Sequence, residues 1–191
     1  MSNRMRGTGL LLRFALRRDR ILLPAWVLLL TATVVASAAA TGPLYATTAE
    51  RVAAAEALNA GPAIVALYGP ILDTSSLGEL SMTKMTVLYA VFVAFMSVVL
   101  VRRHTRVEEE TGRAELVGAT AVGVDAPLAA ALAEAVLASV VLGVLVAVGN
   151  IASGLPATGS VLFGASWTGI GLVGAGITVL AAQLSSSARR R

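Results

Sequence analysis

From Ala135 to Ala188 not one residue of this chain carries a charge, and the run from Met85 to Val101 is likewise uncharged and apolar. A helix rises about 1.5 Å per residue, so about 20 apolar residues cross the hydrocarbon core of a bilayer. Four stretches reach or approach that length: Ile21 to Ala40, Met85 to Val101, Leu128 to Val148 and Val161 to Ala182. In lipid, backbone N–H and C=O groups must find partners inside the chain, and a helix supplies them segment by segment. The composition agrees: 57% of residues are apolar and the mean hydropathy is +0.80, well above an ordinary soluble domain. The expected fold class is all-α. It is a polytopic membrane helix bundle, with four transmembrane helices preceded by an amphipathic interfacial helix and packed on one another or on partners.

Charge then sets orientation. Of 15 Lys and Arg residues, six precede the first span, four lie in a central cluster (Arg102, Arg103, Arg106, Arg113) and three end the chain; only Arg51 and Lys84 remain for the other side. Positive residues stay cytoplasmic, so the N-terminus, the cluster and the C-terminus are expected in the cytoplasm of a multi-pass plasma-membrane protein. The positive charge reads as topology, and no nucleic-acid partner is expected. Ala36 to Ala40 resembles a signal-peptidase site, but the preceding apolar run is too long for one, so the first helix is expected to be retained. There are no cysteines, which excludes disulfides and thiolate metal sites. Lys84 is the sole lysine, and no phosphate-binding loop surrounds it. The chain is expected to bind no cofactor directly, to hold no metal and to be no enzyme.

The layout follows. Residues 7–20 read as an amphipathic elbow helix, with Arg13, Arg17 and Arg20 on one face for the headgroup region of the lipid membrane. The first span covers 21–40 and an extracytoplasmic segment 41–82. There Thr47-x-x-Glu50 has the form of a capping box, and Glu56, Asp73 and Glu79 read as solvated surface. The second span covers 83–101, a cytoplasmic loop 102–126, the third span 127–149, an outer loop 150–158, the fourth span 159–183 and a cytoplasmic tail 184–191. Asp125-Ala126-Pro127 is a good start for the third span. Small residues spaced by four, Ala165/Gly169 and Gly171/Ala175, favour close helix contact in the fourth. Trp167 lies mid-span and reads as packing or cavity lining.

The densest charge lies between spans two and three: Arg102, Arg103, His104, Thr105 and Arg106, then Glu108, Glu109, Glu110, Gly112 and Arg113. As a helix, Arg106 pairs with Glu109 or Glu110 and Glu109 with Arg113, and Thr105-x-x-Glu108 repeats the capping-box form. Exposed pairs of this kind add only a few tenths of a kcal/mol each. A two-sign surface held near the membrane suits recognition of a soluble partner better. His104, the only histidine, is expected on that docking surface rather than as a base or ligand. Glu134 is the one carboxylate within a span, on the order of 10 Å past Pro127. It marks a proton or substrate path, or sits near the inner interface paired with an arginine such as Arg113.

The series Arg103-His104-Thr105-Arg106, Glu108-Glu109-Glu110 and Gly112-Arg113-Ala114-Glu115-Leu116 resembles the signature of actinobacterial ABC-2-type exporter permeases, a family often labelled as polyketide-antibiotic exporters. Gly164-Ala165-Ser166 and Ala181-Ala182-Gln183-Leu184 are similar to that family too, and the resemblance covers nearly the whole chain. It implies a permease that exports a hydrophobic or antibiotic-like compound. Arg103 to Arg113 would then form the segment that couples to a separate ABC ATPase subunit, which binds the ATP. Members of the family carry two halves of about six spans each, so the chain matches an N-terminal portion, and the remaining permease spans or a second copy are expected partners. Two other classes stay open: a small proton-coupled multidrug exporter using Glu134, and a membrane anchor or non-functional truncated fragment that recruits a soluble protein.

Overall fold

The computed structural model describes residues 4–105 and 122–188, with side chains to residue 182. The described residues form α-helices and no strands. In chain order these are α1 (Thr8–Arg18), α2 (Leu22–Leu44), α3 (Thr48–Asn59), α4 (Pro62–Tyr68), α5 (Leu77–Thr86), α6 (Leu88–Arg103), α7 (Ala126–Ala152) and α8 (Ala157–Ala188). Three of them, α2, α7 and α8 as far as Ala182, are long and apolar enough to cross a membrane. The helices α5 and α6 pass the same test together but bend by 48° across their junction. This differs from the single straight span expected over 83–101. The helical run starts at Leu77, where the Ser76 hydroxyl caps it by accepting from the Glu79 N–H at 3.2 Å, and is broken at Val87. Neither proline nor glycine stands there, so the usual sequence signs of a break are missing.

The described residues divide into two compact units. The first contains residues 1–26, 94–139 and 169–191. Gly7 begins α1 in the left-handed conformation at φ 92°, which only glycine adopts without strain. Nearby, the Gly123 and Asp125 N–H groups donate to the Arg6 and Arg4 carbonyls at 2.9 and 3.1 Å. The Asp125 carboxylate, expected as a helix cap, turns instead to Arg4 Nε at 2.8 Å. Val101, Ala135 and Ala175 form a fully buried cluster with Val179 against it. Ser139 and Ser97 crowd the face of Gly171, where an added Cβ would collide with the Ser139 side chain. Gly171/Ala175 therefore provides the close contact that its spacing suggested. Gly169 faces open space and Ala165 is exposed, so that pair does not.

The second unit contains residues 27–93 and 140–168. Its capping box forms: the Thr47 N–H donates to Glu50 Oε2 at 2.9 Å and the Glu50 N–H to Thr47 Oγ1 at 3.3 Å. The Asn59 carboxamide clamps Ile71, accepting its N–H and donating to its carbonyl, both at 2.9 Å. Glu79 is no solvated surface acid. Its Oε2 accepts the Leu72 and Asp73 N–H groups at 2.7 and 3.0 Å, tying the 69–76 connection to α5. A buried Ser37 hydroxyl donates to the Ser81 carbonyl at 2.9 Å and joins α2 to α5. Many hydroxyls here turn back on their own helix. Thr83, Thr86 and Ser160 donate to the carbonyls of Glu79, Met82 and Pro156 at 2.6, 3.0 and 2.9 Å. Trp167 is fully buried against the Phe163 ring, with centroids 5.3 Å apart.

Candidate functional site: a buried carboxylate–imidazole network

Asp19 closes α1, and its carbonyl accepts the Leu23 N–H at 2.9 Å to begin α2. A carboxylate at a helix C-terminus opposes the helix dipole, and this one is fully buried, so it needs cations. The end of α6 supplies two. Arg103 Nε lies 2.7 Å from Asp19 Oδ1, and His104 Nε2 lies 2.8 Å from Asp19 Oδ2. From α7, Glu134 Oε2 approaches the same His104 nitrogen at 3.0 Å. Glu134 is fully buried as well, whereas Arg103 keeps 40% of its side chain exposed. The imidazole is thus held between two buried carboxylates, with a guanidinium at the edge.

One Nε2–H cannot serve two acceptors equally well. The bond to Asp19 has good geometry, while both Glu134 oxygens are left with charge proximity and no hydrogen bond. Burial pushes the His104 ring toward its neutral form, but the contacts with Glu134 and Asp19 and their negative charges outweigh it, and the pKa is raised above 6.5. With the imidazole protonated, two carboxylates face two cations and the network is neutral, the condition for keeping charges out of water.

The ligating atoms of Asp19, His104 and Glu134 also lie within 4.8 Å of one another, close enough to hold a metal ion. A divalent ion there would displace the imidazole proton and, with Arg103 at 2.7 Å, leave excess positive charge in a buried place. The residues present fit a proton better than a cation.

Of the residues singled out in the cluster, Arg102, Arg103, His104 and Thr105 are described; Arg106, Glu108, Glu109, Glu110, Gly112 and Arg113 lie outside the described residues. His104, expected on an outward surface, faces inward with 9% of its side chain exposed. Thr105 donates its hydroxyl to the Val101 carbonyl at 2.8 Å and so continues the turn of α6. Glu134, read as a path residue or as the partner of an arginine such as Arg113, meets His104; Arg113 lies outside the described residues. Asp19 carried no functional expectation. Its one signal was its solitude, as the sole acid before Glu50 among six arginines.

No family model matches the chain. Over 186 residues it is 43% identical to the multidrug efflux system permease protein Rv1217c of Mycobacterium tuberculosis, a match that covers 96% of this chain and 33% of the relative. The chain spans about a third of the length of the curated relative it matches. Identity at that level, along a chain of membrane-length helices, reflects common descent with the matching third of that efflux permease.

Proposed function

We propose that the chain is the N-terminal part of a membrane permease in an ABC-type efflux system, exporting a hydrophobic or antibiotic-like compound and driven by a separate ATPase. The observation that carries this function is the anchoring of the charged cluster at its root. Arg103 and His104, near its start, are fixed by buried charges from α1 and α7, so a force applied to the cluster is passed into three helices at once. Exposed salt bridges add too little stability to account for the cluster, whereas charge complementarity sets the register of a docking partner. The bias of arginine toward the N-terminus, the cluster and the C-terminus favours the cytoplasmic side for these parts, where an ATPase works.

The test is co-expression of the tagged chain with ABC ATPases from the same genome, followed by purification from the membrane. The native chain brings the ATPase down. Glu108→Lys, Glu109→Lys and Glu110→Lys together abolish co-purification without loss of the chain from the membrane, and undiminished recovery would remove the coupling role. A second function, proton-driven export, draws on Glu134, because a buried carboxylate beside an imidazole can exchange a proton. Under it the chain alone exports, export collapses with the proton gradient, and Glu134→Gln eliminates it.

A further inference from the structure

Within the second unit, α4, α5 and the facing ends of α7 and α8 enclose a cavity of about 580 Å³, inside the 300 to 1,000 Å³ or so typical of small-molecule sites. Its walls are largely apolar, with Leu72, Met82, Val87, Leu155 and Phe163 among them. Of the hydroxyls that reach it, Thr83, Thr86 and Ser160 are engaged with their own helices and Ser76 caps α5, and Tyr68 and the Glu79 carboxylate also line it. Asn150 differs. It lines the cavity, is fully buried, and spends its Nδ2 on a long contact to Met82 Sδ at 3.5 Å. Its Oδ1 has no partner, and no other lining residue has a buried unpaired polar atom among the described residues. Leaving a buried carbonyl oxygen unpaired is unfavourable by about 1–3 kcal/mol, so the site is incomplete as it stands.

The geometry points to this cavity as a binding site for an apolar small molecule that offers one hydrogen-bond donor to Asn150 Oδ1. The occupant is a cargo of the transporter. That identification rests on the efflux function, but binding itself needs no ATPase and no gradient. An apolar body fills the walls, and a single amine, amide or hydroxyl hydrogen answers the one open acceptor.

The cavity has a built-in reporter, because Trp167 packs on the cavity-lining Phe163. In a Trp26→Phe background Trp167 is the sole tryptophan, and its emission is absorbed by N-phenyl-1-naphthylamine, an apolar probe with one N–H. The full chain in nanodiscs is titrated with this probe and with its N-methyl counterpart, which lacks the hydrogen. Saturable energy transfer is expected, with the N–H probe binding about tenfold more tightly, as one buried hydrogen bond requires. Asn150→Leu removes that advantage and leaves the N-methyl probe unchanged. Gly159→Phe, placed where an added Cβ meets open space, fills the cavity and abolishes transfer from both. If Asn150→Leu does not fold, the two probes on the native chain carry the same discrimination. Equal affinities on the native chain, or transfer that neither saturates nor responds to Gly159→Phe, would overturn the site and show partition into lipid only. Loss of ATPase co-purification with binding intact would instead fault the coupling function and leave the cavity standing.

Discussion

His104 shows how one side chain comes to depend on residues distant in sequence. Its pKa is raised in the folded chain, and an unfolded histidine titrates near 6.5. A raised folded pKa means that the folded state holds the proton more tightly. The stabilisation is therefore complete below about pH 6.5 and is lost as the pH climbs through the raised value. Thermal unfolding in detergent is expected to show a melting temperature that falls above about pH 6.5, and His104→Gln, which cannot titrate, should flatten that part of the profile. A flat native profile would mean that the imidazole does not carry the charge assigned to it. Little of this was visible in the sequence. Asp19, His104 and Glu134 are separated by scores of residues, and their convergence depends on how helices pack rather than on any local spacing. Glu134 stood out as a charge in an apolar run, but its partner did not.

At the level of helices, hydropathy made the membrane-length segments plain, because a span must be apolar along its length. Which faces meet was harder to read, since the chain is rich in glycine and alanine everywhere. Within the second unit α7 and α8 approach at Gly143 and Gly164, where a Cβ on either residue would fall on the other's carbonyl oxygen. Replacing either glycine with leucine should separate the pair and destabilise by about 1–3 kcal/mol or more. Gly169→Ala, facing open space, should be neutral or gain up to about 1 kcal/mol from helix propensity. Melting curves of the three variants check this, and equal losses in all three would contradict the assigned contact face. The break between α5 and α6 escaped the sequence for a related reason. Residues 85–101 are uncharged and carry no kink-forming proline or glycine; the local feature beside the break is Thr86, whose hydroxyl bonds back to the Met82 carbonyl.

For the molecule as a whole, the natural absence of cysteine allows a direct topology test. Single cysteines at Ser75 and Thr158 should react with a membrane-impermeant maleimide in intact cells, whereas cysteines at Arg20 and Val124 should react only after the membrane is opened. Labelling of Ser75 and Thr158 from opposite sides would mean that α5 and α6 together do not cross. The hydroxyls folded back onto their own helices have a larger consequence. A wall with several of its hydroxyls already committed presents few points for a guest to match. An apolar wall separates molecules that differ by one methylene by only about 10- to 200-fold, while a point built to hydrogen-bond rejects those lacking the matching group far more sharply. A chamber with a single such point sorts its guests by greasiness and one proton donor, and tolerates wide variation in their outline. If the proposed cargo site holds, breadth of specificity follows from side chains that satisfy themselves.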